Sequence, residues 1–236
     1  MSATRKPEIC LVAYSLRKAN GGIAQMARLI AKVLAAKHQA GELRARAVTF
    51  SDAEPVGDLG IPVETAGGSK ARFLLFVHKA TISTTHFIAD SCNMAQALPR
   101  LPGMKRPNLT MLAGIEVWED AKPRWINAAR RSDILLSISH HTRQKAEVLH
   151  GGFARAEVCW LATESDAVPD AGEFPESPEA LIISRIDARE NYKGHRELVE
   201  CWPAVMEKVP GATLHVAGKG SGLEALKQQA SNSPAG

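Results

Sequence analysis

Apolar and polar positions along this chain alternate between two periodicities. "EICLVAYSL" at 8–16 is a near-continuous apolar run of strand length, and the polar, glycine-bearing "RKANGG" follows it. In "GIAQMARLIAKVLAAKHQAG" Ile23, Met26, Ala27, Ile30, Val33 and Leu34 recur at helical spacing, with Lys37 and His38 in the last turn and Gly41 as the stop. Strand, glycine turn and helix make the opening of an α/β domain. "LRARAVTF" and "IPVET" read as the next two strands. "KARFLLFVHKATI" fits either a strand or a helix; its length favours a helix, and "THFIAD" directly after it is the better strand. "LTMLAG" and "DILLSIS" are buried strands, followed by the helical segments "AKPRWINAARR" and "HHTRQKAEVLHG". Strands and helices in alternation predict a parallel sheet covered on both faces.

The pattern breaks after "EVCWLA". "TESDAVPDAGEFPESPE" carries three prolines and six carboxylates and reads as a linker. Beyond it "ALIISR", "GHRELVECWPAVMEKV", "PGATLHVAG" and "SGLEALKQQA" give strand, helix, strand, helix. Pro203 is expected to kink or split the first of those helices. The expected organisation is a domain at 1–163, a linker at 164–179 and a second α/β unit at 180–236. Two strands in 57 residues bury little and expose sheet edges, so that unit is expected to be incomplete.

Composition adds exclusions. Apolar residues make up 45% and charged residues 23% of 236, which argues against disorder or a fibrous class. Cys10, Cys92, Cys159 and Cys201 are widely spaced, so neither a zinc knuckle nor a disulfide framework is expected. With no apolar run of membrane-spanning length and no cleavage site after the basic start, the expected location is the cytoplasm. In the first fifty residues Arg5, Lys6, Arg17, Lys18, Arg28, Lys32, Lys37, Arg44 and Arg46 face only Glu8 and Glu42. One reading is a face for anionic lipid or phosphate, with peripheral contact at the inner side of a membrane. The other, favoured by Arg28 and Lys32 standing four apart on one helix, is a solvated helix surface. Nucleic acid is not expected, because the aromatic residues, 5% of the chain, do not interleave with the basic ones.

The candidate chemistry lies in "SRIDARENYKGHREL". In an open α/β sheet ligands sit outside the carboxyl ends of the strands. Arg185 stands at such an end, and Lys193 immediately precedes a helix whose N-terminus favours an anion. An arginine fork and a lysine point charge suit a diphosphate. The alternative is a solvated loop in which these cations pair with Asp187, Glu190 or Glu197.

The stretch "ALIISRIDARENYKGHRELVECWPAVMEKVPGATLHVAGKGSGLEALKQQA" resembles the opening of the nucleotide-sugar domain of family 4 glycosyltransferases, retaining enzymes of the GT-B fold. Upstream, "GGIAQMARLIAKVL", "LAGIEVWED" and "SDILLSISHHTRQKAEVLHG" resemble the acceptor domain of the same family, in the expected order. The resemblance implies an α/β, GT-B-like fold of two Rossmann-like domains with parallel sheets, the second incomplete. It implies transfer of a sugar from a nucleotide-diphosphate donor to a glycan or lipid-linked acceptor. Arg185 and Lys193 would bind the donor diphosphate and stabilise its charge as it leaves. Gly21 and Gly22 would let the backbone approach the donor phosphates, or simply make the turn before a helix. On the acceptor side Gly114 and Glu116 are candidates, Glu116 also reading as an exposed strand-end carboxylate. Ala113 stands where the family often has histidine, which sets any histidine-assisted step in question. No metal or cofactor is implied, and the sequence has no Asp-x-Asp. The family's second donor motif, two glutamates eight apart, would fall beyond residue 236, so little or no turnover is expected of these residues alone.

Two rival readings remain. "HVAGKGSGLEAL" nearly spells the dinucleotide fingerprint but has Leu223 at its last position, and that reading is set aside. A non-catalytic acceptor-binding module, or a vestigial truncated relative, remains as the alternative.

Overall fold

Alternate side chains of the first strand are buried in different cores. In β1 (Glu8–Ala13), Cys10 and Val12 pack with Val48, Phe73 and Val77, whereas Leu11 and Ala13 pack with Ala27, Ala31 and Leu34. A strand buried on both faces reads as a continuous apolar run, and a parallel sheet between helices supplies the two covers. The computed structural model describes residues 6–18, 21–163, 165, 167, 168, 170, 172, 173 and 175–233. The chain divides into two units, Met1–Asp166 and Ala167–Gly236. That division falls within the expected linker, of which Glu164, Asp166, Pro169, Ala171 and Phe174 lie outside the described residues.

In the first unit β2 (Arg44–Thr49), β3 (Val63–Thr65), β4 (His86–Ala89), β5 (Asn108–Leu112), β6 (Ile134–Ser137) and β7 (Glu157–Val158) join β1. The sheet runs β3-β2-β1-β4-β5-β6-β7, with every neighbouring pair parallel. Helix α1 (Gly22–Gln39) packs on one face, through Ala27, Ala31 and Leu34. Helix α2 (Lys70–Ala80) packs on the other, through Phe73 and Val77. The segment at 70–80 is therefore the expected helix; it starts at Ser69, whose Oγ accepts the Arg72 N–H at 3.4 Å, and β4 follows it as expected. Helices α4 (Pro123–Arg130) and α5 (His140–His150) enclose a third cluster around Leu112, Leu135 and Phe153. Two elements lie outside the sequence reading: α3 (Cys92–Ala95) and β7, of four and two residues, too short to show a period.

The second unit pairs β8 (Glu179–Ile183) with β9 (Thr213–Ala217) in parallel, register Glu179↔Thr213 to Ile183↔Ala217. Helices α6 (His195–Lys208) and α7 (Leu223–Ser231) contribute Val199 and Leu226 to a small core with Ile186, against which Leu214 and Val216 pack. Leu181 and Ile183 on the other face are 62% and 71% exposed. Pro203 does not split α6, which is assigned as a single helix across it. Proline removes one backbone donor and leaves the hydrogen bonds of the turns on either side available. Among the described residues no helix is long and apolar enough to cross a membrane.

The basic N-terminal stretch is largely paired inside the first unit, in part with carboxylates beyond residue 50. Arg44 faces Glu8 at 3.5 Å, Arg46 pairs with Glu64, Lys37 with Glu42 at 2.7 Å, and Arg17 lies 4.0 Å from Asp52. Arg5 lies outside the described residues. Arg28 corrects the solvated-surface reading: it is 2% exposed, donating to the Leu16 carbonyl at 2.8 Å and to Asp58 at 2.7 Å. It holds Asp58 below the usual carboxylate range. Its aliphatic stem lies on the apolar side of α1 while its head ties the loop after β1 to the 3-10 turn at Gly57–Leu59. Arg28→Ala leaves the Leu16 carbonyl without this donor and opens a cavity, and is expected to lower the first unit's stability by roughly 2–4 kcal/mol. Its urea transition should move down accordingly; an unmoved midpoint would contradict this role.

Candidate functional site

Parallel strands gather their following loops at one edge of the sheet. After β1 the chain goes outward through β2 and β3, then returns to place β4 on the other side of β1. The crevice at the carboxyl ends of β1 and β4 is thus the switch point, where ligands of such sheets bind. Buried carboxylates organise it. Asp90, one residue past β4 and 0% exposed, accepts the Tyr14 N–H at 2.7 Å and the Ser91 hydroxyl at 2.8 Å. Asp52, beyond β2 and 1% exposed, accepts the Ser15 hydroxyl at 2.5 Å and the Leu16 N–H at 2.9 Å. Together they hold the start of the loop that runs from β1 towards α1. Burial pushes the Asp90 carboxyl up to about 7, against the two hydrogen bonds that favour its charge.

The candidate residues of this unit flank that edge. Gly21 is the N-cap of α1 with φ 85°, a left-handed conformation that favours glycine. Gly22 has no such φ, and among the described residues a Cβ on it would meet nothing within 4 Å. Neither its backbone nor its packing explains a glycine there. Gly114 has φ 131° in the turn after β5. Glu116 is buried, 7% exposed, which corrects the reading of an exposed strand-end carboxylate. Its Oε1 accepts the Ala113 N–H at 2.5 Å while its buried Oε2 has no partner among the described residues, and desolvation raises its pKa.

Arg185 and Lys193 lie in the second unit, on the loop between β8 and α6. This loop is clamped by the glycine turn after β9. Ile186 N–H donates to the Lys219 carbonyl at 2.9 Å, Gly222 N–H to the Ile186 carbonyl at 2.9 Å, and Ala188 N–H to Ser221 Oγ at 3.1 Å. A Cβ on Gly218 would stand 2.1 Å from the Ser184 carbonyl oxygen and one on Gly220 2.0 Å from that of Ile186. The two glycines therefore permit the contact that fixes the loop. Arg185 is exposed and its guanidinium pairs with Glu190, one of the three partners expected for it. Asp187 is engaged by Arg189, which brings its carboxyl down to about 2. Lys193 closes a 3-10 turn at Asn191–Lys193, Gly194 follows with φ 83°, and α6 begins at His195. The Lys193 ammonium lies 4.8 Å from the Tyr192 ring centroid and has no carboxylate partner among the described residues. Beneath the loop is a cavity of about 20 Å³, room for little more than a water molecule, so an anion would meet these cations from outside.

The sequence reading missed Asp52, Asp90 and His195. His195, 6% exposed, sits 3.0 Å from the Ser184 hydroxyl and joins the end of β8 to the start of α6. The available signal was a polar residue just past an apolar strand, as in "THFIAD". Among the described residues no three His, Cys, Asp or Glu side chains gather to hold a metal ion.

No family model and no curated protein matches the chain. Among solved structures it is similar to Anabaena Alr3699/HepE in complex with UDP, at 16% identity and a TM-score of 0.68 over 95% of this chain and 65% of that one. It is similar also to Alr3699/HepE in complex with UDP and glucose, at 17% identity and a TM-score of 0.67 over 95% and 66%. The likeness is one of fold. The fold is α/β and GT-B-like, with two Rossmann-like units built on parallel sheets. The chain spans slightly under two thirds of the length of either structure.

Asp90 generates a pH dependence. Burial moves its pKa from the ordinary aspartate value of 3.8 to about 7 on folding, so between those values the folded state binds more protons than the unfolded one. Its contribution to stability is full below about pH 4 and is lost as pH rises through 7. Asp90→Asn can keep the acceptor for Tyr14 and does not titrate. The stability of the wild type relative to Asp90→Asn, from urea denaturation at a series of pH values, should fall between about pH 4 and 7. A flat difference would contradict the buried, proton-holding carboxyl.

Proposed function

We propose that the chain forms the acceptor-side unit and the donor-diphosphate loop of a glycosyltransferase resembling family 4. The enzyme would transfer a sugar from a nucleotide-diphosphate donor to a glycan or lipid-linked acceptor. The observation that carries this reading is the clamped β8–α6 loop, with an exposed arginine at the strand's carboxyl end and, just before a helix N-terminus, a lysine with no carboxylate partner among the described residues. As the bond to the sugar breaks, the leaving diphosphate gains negative charge. Fixed cations stabilise that charge more in the transition state than in the ground state. Arg185 supplies a planar fork, Lys193 a point charge and α6 the positive end of its dipole, so this reading calls for no metal ion. That a similar fold is known with UDP bound adds support.

The remaining candidates take roles consistent with their surroundings. Gly21 and Gly22 leave room for backbone to approach a phosphate. Glu116, with its carboxyl buried on the Ala113 N–H, shapes the turn that presents Gly114 to the acceptor. Glu190 competes with the donor for Arg185, and its carboxylate must release the guanidinium when a diphosphate binds.

Titration calorimetry with UDP and with GDP tests this reading. One of the two should bind, with Arg185→Ala and Lys193→Ala each weakening the affinity about ten-fold or more, as expected of charge-assisted hydrogen bonds. Glu190→Gln should tighten it. Absence of binding, or binding indifferent to both cations, would overturn the donor reading in favour of an acceptor-binding module.

A further inference from the structure

A groove in the first unit combines an apolar floor with a cationic rim. Its volume is about 420 Å³, within the range of roughly 300–1,000 Å³ usual for small-molecule sites. Phe50, Phe73, Met94 and Trp125 give it apolar and aromatic walls, with Phe50 and Phe73 in edge contact at 5.4 Å between ring centroids. Leu74, 45% exposed, extends this surface outward. Lys70, Lys122 and Arg124 form the rim, and none has a carboxylate partner among the described residues. They contrast with the cations near the N-terminus, most of which are neutralised internally.

The placement of those three residues is electrostatically unfavourable by itself. Lys70 opens α2, and Lys122 and Arg124 are the N-cap and second residue of α4. Neither helix has an acidic residue in its first turn. Two positive helix ends therefore meet three positive side chains at one cavity, where an anion would relieve both. Trp125, which lines the groove, also has a buried indole N–H with no acceptor among the described residues. The groove offers little else for polar recognition. Gln96 Nε2 already donates to the Asn93 carbonyl and Oδ1, each at 2.8 Å. The Lys122 ammonium stands 4.9 Å over the Trp125 ring, on a face a base would need for stacking.

We propose that this groove binds a phosphorylated lipid, with its phosphate between Lys70, Lys122 and Arg124 and the first part of its hydrocarbon chain over Phe50, Phe73, Met94 and Trp125. In the transfer reaction proposed above such a ligand would take the acceptor's place. The groove lies wholly in the first unit, so its binding is measured without nucleotide and the two readings can fail separately.

The probe is dodecyl phosphate below its critical micelle concentration, titrated calorimetrically into the whole chain, with inorganic phosphate and dodecyl glucoside as headgroup-only and uncharged-tail comparisons. Dodecyl phosphate should bind at least ten-fold more tightly than either. The exposed pair Lys122→Ala and Arg124→Ala together should weaken it at least ten-fold, with the fold unchanged by circular dichroism, and added salt should weaken it further. The Trp125 indole proton, identified by its loss in Trp125→Phe, should shift on binding. Equal binding of inorganic phosphate would mean an anion site without a lipid slot, and equal binding of dodecyl glucoside would mean apolar adsorption. Either result, no binding, or full affinity in the double variant overturns the proposal.

Discussion

Parallel sheets bring every strand-to-helix loop to one edge, and those loops need hydrogen-bond partners that the sheet no longer provides. In the first unit buried carboxylates meet that need. Asp90 and Asp52, one beyond each neighbour of β1, take the backbone N–H groups of Tyr14 and Leu16 as the chain leaves the strand. Replacing a hydration shell with so few fixed donors is costly for a charge, and for Asp90 the cost appears as a raised pKa. In return the course of the chain towards Gly21 and α1 is anchored from both sides of the switch point.

The second unit solves the same problem with glycine. Gly218 and Gly220 let one strand-end loop lie directly on another, so backbone carbonyls and N–H groups satisfy each other without buried charge. The cations of the β8–α6 loop are consequently left at the surface. Arg189 is held by Asp187, whereas among the described residues Arg185 is engaged by Glu190 and Lys193 only by an aromatic ring, so these two can be recruited by an incoming anion. The lipid groove has this balance too, since its rim charges have no internal counterions among the described residues.

The fold was legible because β1, β5 and β6 read as apolar runs, although Ile134 of β6 is half exposed, and because α1 is long enough to show its period. The helix at 70–80 was decided by length and by the better strand that follows it. What stayed hidden depends on contacts distant in sequence. Arg28 looked solvated because Lys32 stands one turn away, but its partner Asp58 lies thirty residues on. Glu116 looked like a strand-end surface carboxylate, and only the turn back to Ala113 buries it. Asp90 and Asp52 could not be placed together without the strand order, which local pattern does not contain. Arg185 and Lys193 were visible because a strand end and a helix start are both local features.

In the proposed reaction a nucleotide diphosphate is held by the loop between β8 and α6. A crystal structure of the chain with UDP tests it most directly. The diphosphate should lie against Arg185 and Lys193 near the start of α6, with Glu190 turned away from the arginine. Nucleotide bound instead at the β1–β4 crevice or in the groove beside Trp125, with the Arg185–Glu190 pair intact, would contradict it.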